Sequence, residues 1–217
     1  MLKLYGHFLS SPTNKVRFCL ARLGLPHDYI HVDLAKGEQM GDDYLEINPH
    51  GRVPAIDDDG FRLSQSDAIC TYLCAISGPS SFYPAEAQAQ AIINQWRDFA
   101  SLHVLPALGR IFYNRVVAPM IGERPNEDFT KSGEDMLARD LPYIEAQLAK
   151  TRYIAGNNLT LADTTMIAAL EPAEMCQFDL SPYTEIQAWR ERIMGKEFYR
   201  KVHTHFGAEM AAMNKDG

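Results

Sequence analysis

The sequence predicts a small α/β domain followed by an all-helical one, and three observations lead there. Through residue 78, short period-two apolar stretches alternate with helical spacing. Pro79, Ser80, Ser81 and Pro84 then interrupt the pattern, and from Glu86 onward every strong periodicity is that of a helix. We therefore expect a βαβ-α-ββα domain over residues 1–78, a linker over 79–86 and a helical domain over 87–217.

LKLY (2–5) alternates as a strand; VRFCLARLGL carries Val16, Cys19, Leu20 and Leu23 at helical spacing and stops at Gly24; YIHVDL (29–34) returns to period two. A polar loop, a short helical patch around DDYLEI, the strands VPAID (53–57) and FRLS (61–64) about a DDDG turn, and a helix from Ser66 to about Ile76 complete the first domain. In the second, Ile92, Trp96, Phe99 and His103 mark one helix face, and Leu137, Leu141, Ile144 and Leu148 another. Pro106 and Pro142 are expected to bend their helices without ending them. Thr160 with Asp163 three residues later reads as a capping box, and Ser181 before Pro182 as the cap of a further helix.

With 46% apolar and 23% charged residues the chain falls in the globular range, and a formal charge of −7 argues against nucleic acid as a partner. MLKLYGHFLSS is not expected to be a secretory leader, and no apolar run is long enough to span a bilayer, so no membrane partner is expected and a soluble, cytoplasmic protein is. Cys19, Cys70, Cys74 and Cys176 lack the CxxC pairing of a zinc or redox site and read as buried thiols. His203 and His205 form an HxH without carboxylate or cysteine partners and are expected at the surface, so no metal site is assigned.

Three stretches carry chemistry. In LSSPTNKVR (9–17), proline favours the first helical position, which makes Ser11 the expected N-cap and leaves Ser10 unoccupied beside a helix N-terminus at the end of the first strand. Ligands of open α/β sheets bind at that place, and the dipole there favours anions. In NPHGRVPAI (48–56), Val53–Pro54 opens a strand; a cis bond there would turn the Val53 backbone toward an extended peptide ligand. In SQSDAICTYL (64–73), Ser66 is the expected cap of a helix whose N–H groups can cradle a carboxylate.

In this order and spacing, YG, the serine turn, KVR, LGL, NPHGRVPAI, the QSDAI helix start and LTLADTT resemble the cytosolic glutathione S-transferase superfamily over nearly the whole chain. The resemblance implies a thioredoxin-like first domain that binds glutathione as co-substrate, and a homodimeric enzyme of the serine type, similar to theta, phi and zeta members. By the same resemblance Ser10 stabilises the glutathione thiolate, Val53 beside cis-Pro54 pairs with the cysteinyl unit, Gln65 and Ser66 hold the γ-glutamyl end, and Gln39 and Arg52 stand at the glycyl end. It also implies a pocket for a small hydrophobic electrophile between the domains, bounded by Phe8 and Leu9, with His103 and Arg110, seven residues apart, as candidates from the helical side. Phi members often carry His then Lys where this chain has Gln39 and Met40. SSPTNKVR resembles the SSCxxRVR of maleylacetoacetate isomerases except that Pro12 replaces the cysteine, which keeps glutathione-dependent isomerisation as an alternative, beside dehalogenation and ether cleavage. A noncatalytic binding module on the same fold is the alternative of another class, disfavoured by the retention of Ser10, Gln65 and Ser66.

Overall fold

The computed structural model describes residues 1–203, and the chain divides into two compact units, Met1–Pro79 and a second from Ser80 onward. In the first, β1 (Leu2–Gly6), α1 (Ser11–Leu23) and β2 (Asp28–His31) are followed by a 3-10 turn (Glu38–Met40) and α2 (Asp42–Leu45). The β3 (Ala55–Asp58) and β4 (Phe61–Ser64) hairpin and α3 (Ser66–Ser77) complete it. Strand order is β2-β1-β3-β4, with β1 parallel to β2 and antiparallel to β3, and β3 antiparallel to β4. Alternation sets the faces: Leu2, Leu4 and Gly6 are buried while Lys3 is exposed and Tyr5 intermediate. The core joins Leu4 and Ile56 to Val16, Phe18, Leu20, Ile69 and Leu73 of α1 and α3, which pack on each other. Cys19, Cys70 and Cys74 lie in that helix interface, and burial, with its sulfur neighbours, pushes the Cys19 thiol well up and keeps it protonated.

The second unit begins with α4 (Ala87–Phe99), a π-helical turn (Ala100–Val104), α5 (Leu105–Phe112), a second π turn (Tyr113–Val117) and α6 (Ala118–Met120). It continues through α7 (Glu127–Leu148), α8 (Leu161–Leu170), α9 (Pro172–Met175), α10 (Thr184–Met194) and α11 (Glu197–Arg200). Every residue of α8 is buried, as expected of a helix apolar on all sides. Its start carries the expected capping box: Asp163 accepts from the N–H groups of Thr160 at 2.8 Å and Ile154 at 3.0 Å, and from Trp189 Nε1 at 2.9 Å. Pro142 lies inside α7, whose Leu137, Leu141, Ile144 and Leu148 are all buried, and Pro106 follows the first π turn.

Three expectations for this unit are corrected. Ile93, Trp96 and Arg97 are the buried residues of α4, whereas Ile92 is 49% exposed and His103, in the π turn, is exposed as well. Helix α10 starts at Thr184, not after Ser181, because the Glu145 carboxylate of α7 accepts from the N–H groups of Glu185 (2.8 Å) and Ile186 (2.9 Å) and caps it from another helix. His203 is buried, not at the surface, with Nε2 3.1 Å from Glu171 Oε1; its ring meets that of Tyr199. His205 lies outside the described residues.

Candidate functional site

The strand register brings the three singled-out stretches to one end of the sheet. Tyr5 pairs with Ala55, and Ala55 with Ser64, so the exit of β1, the entry to β3 and the exit of β4 lie side by side. Gly6 pairs with His31, so parallel β2 ends there too and leads on to Gln39 in the 3-10 turn. Ser10 follows β1, Val53–Pro54 lead into β3 and Gln65–Ser66 follow β4.

At the β1 exit the helix start differs from expectation by one residue. Ser10 is the N-cap, in extended conformation, and its Oγ accepts from the Thr13 N–H at 3.3 Å; Ser11 is the first helical residue, buried, and Pro12 the second. None of the first N–H groups of a helix has an intrahelical partner, so proline is as compatible with the second position as with the first. The cap bond uses a lone pair of the Ser10 hydroxyl, and among the described residues its proton has no acceptor. The turn is fixed around it: Ser10 N–H donates to the His7 carbonyl (2.9 Å), Asn14 N–H to the Ser10 carbonyl (2.9 Å), and Asn14 Nδ2 to the Phe8 carbonyl (2.8 Å). Arg17 donates to Asn14 Oδ1 at 3.0 Å and lies 5.3 Å from the centre of the Tyr29 ring; burial pushes the Tyr29 phenol up, against the opposing guanidinium. Gly6 has its own cause, because a methyl group there would overlap the Thr13 methyl.

At the β3 entry the Val53–Pro54 bond is cis. The ladder begins at Ala55, leaving Val53 ahead of it. The preceding carbonyl, that of Arg52, accepts from both Tyr44 OH (2.8 Å) and Asn48 Nδ2 (2.6 Å), while the Arg52 side chain is exposed. Burial pushes the Tyr44 phenol up to about 12, which keeps it a neutral donor at physiological pH. Tyr44 and Asn48 went unrecognised in the sequence; DDYLEIN reads as an amphipathic turn, and the receiving carbonyl has no side-chain signature.

At the β4 exit Gln65, not Ser66, is the cap residue of α3, with φ 71° and ψ 108°, a conformation seldom adopted by a side-chain-bearing residue. Such strain clusters at ligand-binding positions. No side chain caps α3, and the Ser66 N–H at its start is left open to an anion. Asp67, the second helical residue, pairs with the buried Lys15 ammonium of α1 at 2.8 Å and so ties the two helix starts together. Gln39 Oε1 is shielded from solvent without a hydrogen-bond partner.

The remaining residues have other surroundings. Phe8 and Leu9 are half-buried in the serine turn, with the Phe8 ring stacked on His7 at 4.9 Å. His103 lies exposed in the first π turn and stacks on Phe99 at 5.0 Å. Arg110 is engaged by α7: it donates to Ser132 Oγ at 2.6 Å and lies 5.0 Å from the Phe129 ring centre. A π turn winds more slowly than an α-helix, so a seven-residue spacing that includes one does not keep two side chains on one face. A cleft of about 590 Å³ opens against β2, lined by Tyr5, His31, Glu38, Asp42 and Tyr44 among others and by none of the expected site residues. Among the described residues no group of three His, Cys, Asp or Glu is arranged to hold a metal ion, and no helix is long and apolar enough to cross a membrane.

Residues 9–76 match the glutathione S-transferase N-terminal domain and residues 103–197 the C-terminal domain of the same enzymes. A probable glutathione S-transferase of Oryza sativa subsp. japonica is 30% identical over 93% of this chain and 95% of its own length. The chain belongs to the glutathione S-transferase family. Glutathione S-transferase 3 of Zea mays is 31% identical over 93% of this chain and 92% of its own, and a theta-2 enzyme of Mus musculus 26% over 94% and 86%. Glutathione transferase F7 of Populus trichocarpa superposes with a TM-score of 0.86 at 27% identity, over 95% of this chain and 99% of that one. A glutathione S-transferase-I bound with lactoylglutathione gives 0.83 at 26%, over 93% and 97%. The protein is thus an enzyme that uses glutathione, and its first unit is the thioredoxin-like domain of that family.

Proposed function

We propose that this enzyme is a serine-type glutathione transferase, in which the Ser10 hydroxyl donates to the glutathione sulfur and stabilises its thiolate for attack on a small apolar electrophile. The observation that carries the reading is the placement of Ser10, whose hydroxyl proton is uncommitted among the described residues, at the same sheet end as Val53, Gln65 and Ser66. Four strands about 4.8 Å apart make an edge of about 14 Å. An extended tripeptide spans ~10 Å, so one glutathione molecule fits along it. Val53 then pairs with the cysteinyl backbone, the open start of α3 with Gln65 and Ser66 receives the γ-glutamyl carboxylate, and Gln39 and Arg52 meet the glycyl end.

Lowering a thiol pKa from ~8.5 to ~6.5 needs about 2.7 kcal/mol in favour of the thiolate. A hydrogen bond to a charged acceptor contributes roughly 1.5–3 kcal/mol and the α1 dipole about 0.3–1 kcal/mol. These suffice, so the chemistry asks of the protein a donor and not a nucleophile. The expected sources of surface for the electrophile are Phe8 and Leu9 from the serine turn and the helical domain, with His103 and Arg110 as its candidates, and a detoxifying homodimer in the cytoplasm is the setting this reading implies.

The test is the ultraviolet titration of enzyme-bound glutathione. Ser10→Ala and Ser10→Gly are expected to raise the bound-thiol pKa by about 1–2 units, a factor of ten per unit in thiolate below the pKa. Gly retains most of the N-cap stability, so the two variants separate the donor from the cap. An unchanged thiol pKa in both rejects Ser10 as the donor, and no calorimetric binding at millimolar glutathione rejects the transferase reading. A panel of aryl halides, haloalkanes, aryl ethers, peroxides and maleyl compounds then distinguishes conjugation from dehalogenation, ether cleavage and isomerisation.

A further inference from the structure

Immediately before the serine turn stands a buried histidine for which the proposed chemistry has no use. The His7 side chain lies at the end of β1, and its Nδ1 is 3.2 Å from the Leu9 backbone nitrogen. A backbone N–H can only donate, so Nδ1 carries the lone pair and the ring proton resides on Nε2. The same residue's carbonyl accepts from the Ser10 N–H at 2.9 Å. His7 therefore holds residues 7–10 at two points, one through its backbone and one through its ring, and Phe8 stacks on the ring at 4.9 Å.

We infer that His7 is a positioning residue for Ser10: its neutral imidazole, accepting the Leu9 N–H, holds the turn in the conformation that presents the Ser10 hydroxyl to the glutathione sulfur. The inference rests on the reading of Ser10 as the thiolate donor. It is a role for a lone pair, so its loss follows from taking up a proton as well as from mutation. A protonated Nδ1 would face the Leu9 N–H donor to donor.

The surroundings keep the ring neutral. Burial pushes the His7 pKa below the ordinary histidine value, His31 of β2 (5.0 Å between rings) lowers it further, and Asp33 opposes both. Asp33 is itself occupied, by the Lys36 ammonium at 2.9 Å and by the N–H groups of Ala35 and Lys36, while Glu38 takes the Asp33 N–H. With the folded pKa below the unfolded one, the folded chain binds fewer protons in that window, so the contribution is present above ~6.5 and is lost as pH falls through the lowered value.

Two variants of the full chain test this. His7→Phe keeps an aromatic ring for Phe8 and removes the acceptor; His7→Asn places Oδ1 near the Nδ1 position and stays uncharged at every pH. Bound-thiol titration, kcat, KM for glutathione and the pH profile are read for each. His7→Phe is expected to raise the bound-thiol pKa by about one unit and to lower kcat at neutral pH roughly tenfold, with KM within about threefold. His7→Asn is expected to restore most of that loss and to show on the acid side the titration of the bound thiol alone, without the further decline that the parent enzyme shows below the His7 pKa. A folded His7→Phe that titrates like the parent, equal losses in both variants, or an acid limb as steep in His7→Asn as in the parent each overturns the proposal; the last comparison stands even if His7→Phe does not fold. Ser10→Ala, run in parallel, separates the two levels. If it leaves the thiol pKa unchanged the Ser10 reading fails; if it raises the pKa and His7→Phe does not, the role of His7 alone fails.

Discussion

Helices α1 and α8 both begin at a hydroxyl-bearing N-cap, and the two caps direct their hydroxyl protons differently. Ser10 accepts one amide proton over 3.3 Å, stands half-buried, and commits its own hydroxyl proton to no acceptor among the described residues. Thr160 is buried and donates both its N–H and its hydroxyl to Asp163, which also accepts from Ile154 and Trp189. The α8 start is closed: the N–H groups of Thr160 and Leu161 and the Thr160 hydroxyl are answered from within the protein. The α1 start has one donor left over, at the sheet end that also carries cis Val53–Pro54 and the start of α3. On the proposed reading, the same capping chemistry serves as an anchor where it is fully satisfied and as a binding site where it is left one bond short.

The sharpest way to break this comparison is to remove the anchor. Asp163→Ala leaves the N–H groups of Ile154 and Thr160, the Thr160 hydroxyl and the Trp189 indole without their acceptor. Each orphaned buried donor costs about 1–3 kcal/mol, and because the four share one site a total of about 3–5 kcal/mol is expected in urea unfolding. The burial that pushes the Asp163 carboxyl pKa up disfavours the bare charge, so its value lies in the bonds it accepts. A loss below 1 kcal/mol would mean that α8 does not depend on its cap, and the contrast with α1 would collapse.

The second test acts on α1 through its neighbour. Gly6→Ala pushes its new methyl against the Thr13 side chain, and Thr13 supplies the N–H that Ser10 holds. Overpacking of this kind costs about 1–3 kcal/mol. Glutathione turnover is expected to fall with it, since the Ser10 turn must shift. Adding Thr13→Ser removes the overlapping methyl group and is expected to recover most of both losses; a double variant no better than the single one would place the damage elsewhere.

How much of this was legible follows the range of the forces involved. FRLS at 61–64 coincides with β4, the four-residue spacing from Leu137 to Leu141 and the steps to Ile144 and Leu148 mark the buried face of α7, and Thr160 with Asp163 forms its box, because each depends on neighbours within one turn or one pleat. The failures in the helical unit involve contacts or geometry beyond that range. Glu145 caps a helix some 40 positions away, so Ser181 had no cap to provide; Glu171 buries His203 from across the helical unit; and the π turn after Phe99 moves His103 out of the phase that a uniform 3.6 repeat assigns it. At the candidate site the stretches were legible but the division of labour was not. The capping argument treated binding and capping as exclusive duties of two serines, whereas a hydroxyl accepts and donates at once.

That correction carries the smallest predicted effect and the most direct check on the comparison. With Ser11 as the first helical residue its hydroxyl caps nothing, and alanine is well suited to a helical position, so Ser11→Ala is expected to change stability by less than about 0.5 kcal/mol and to leave the bound-thiol pKa where it was. Ser10→Ala, by contrast, removes both the cap, worth ~0.5–2 kcal/mol, and the donor. Unfolding and thiol titration of the two variants side by side therefore distinguish three arrangements. Losses confined to Ser10 support one hydroxyl with two bonds; a stability loss at Ser11 with a titration shift at Ser10 restores the division by residue; and a stability loss at Ser10 without a titration shift makes α1 as closed as α8, a helix start with nothing left to offer a ligand.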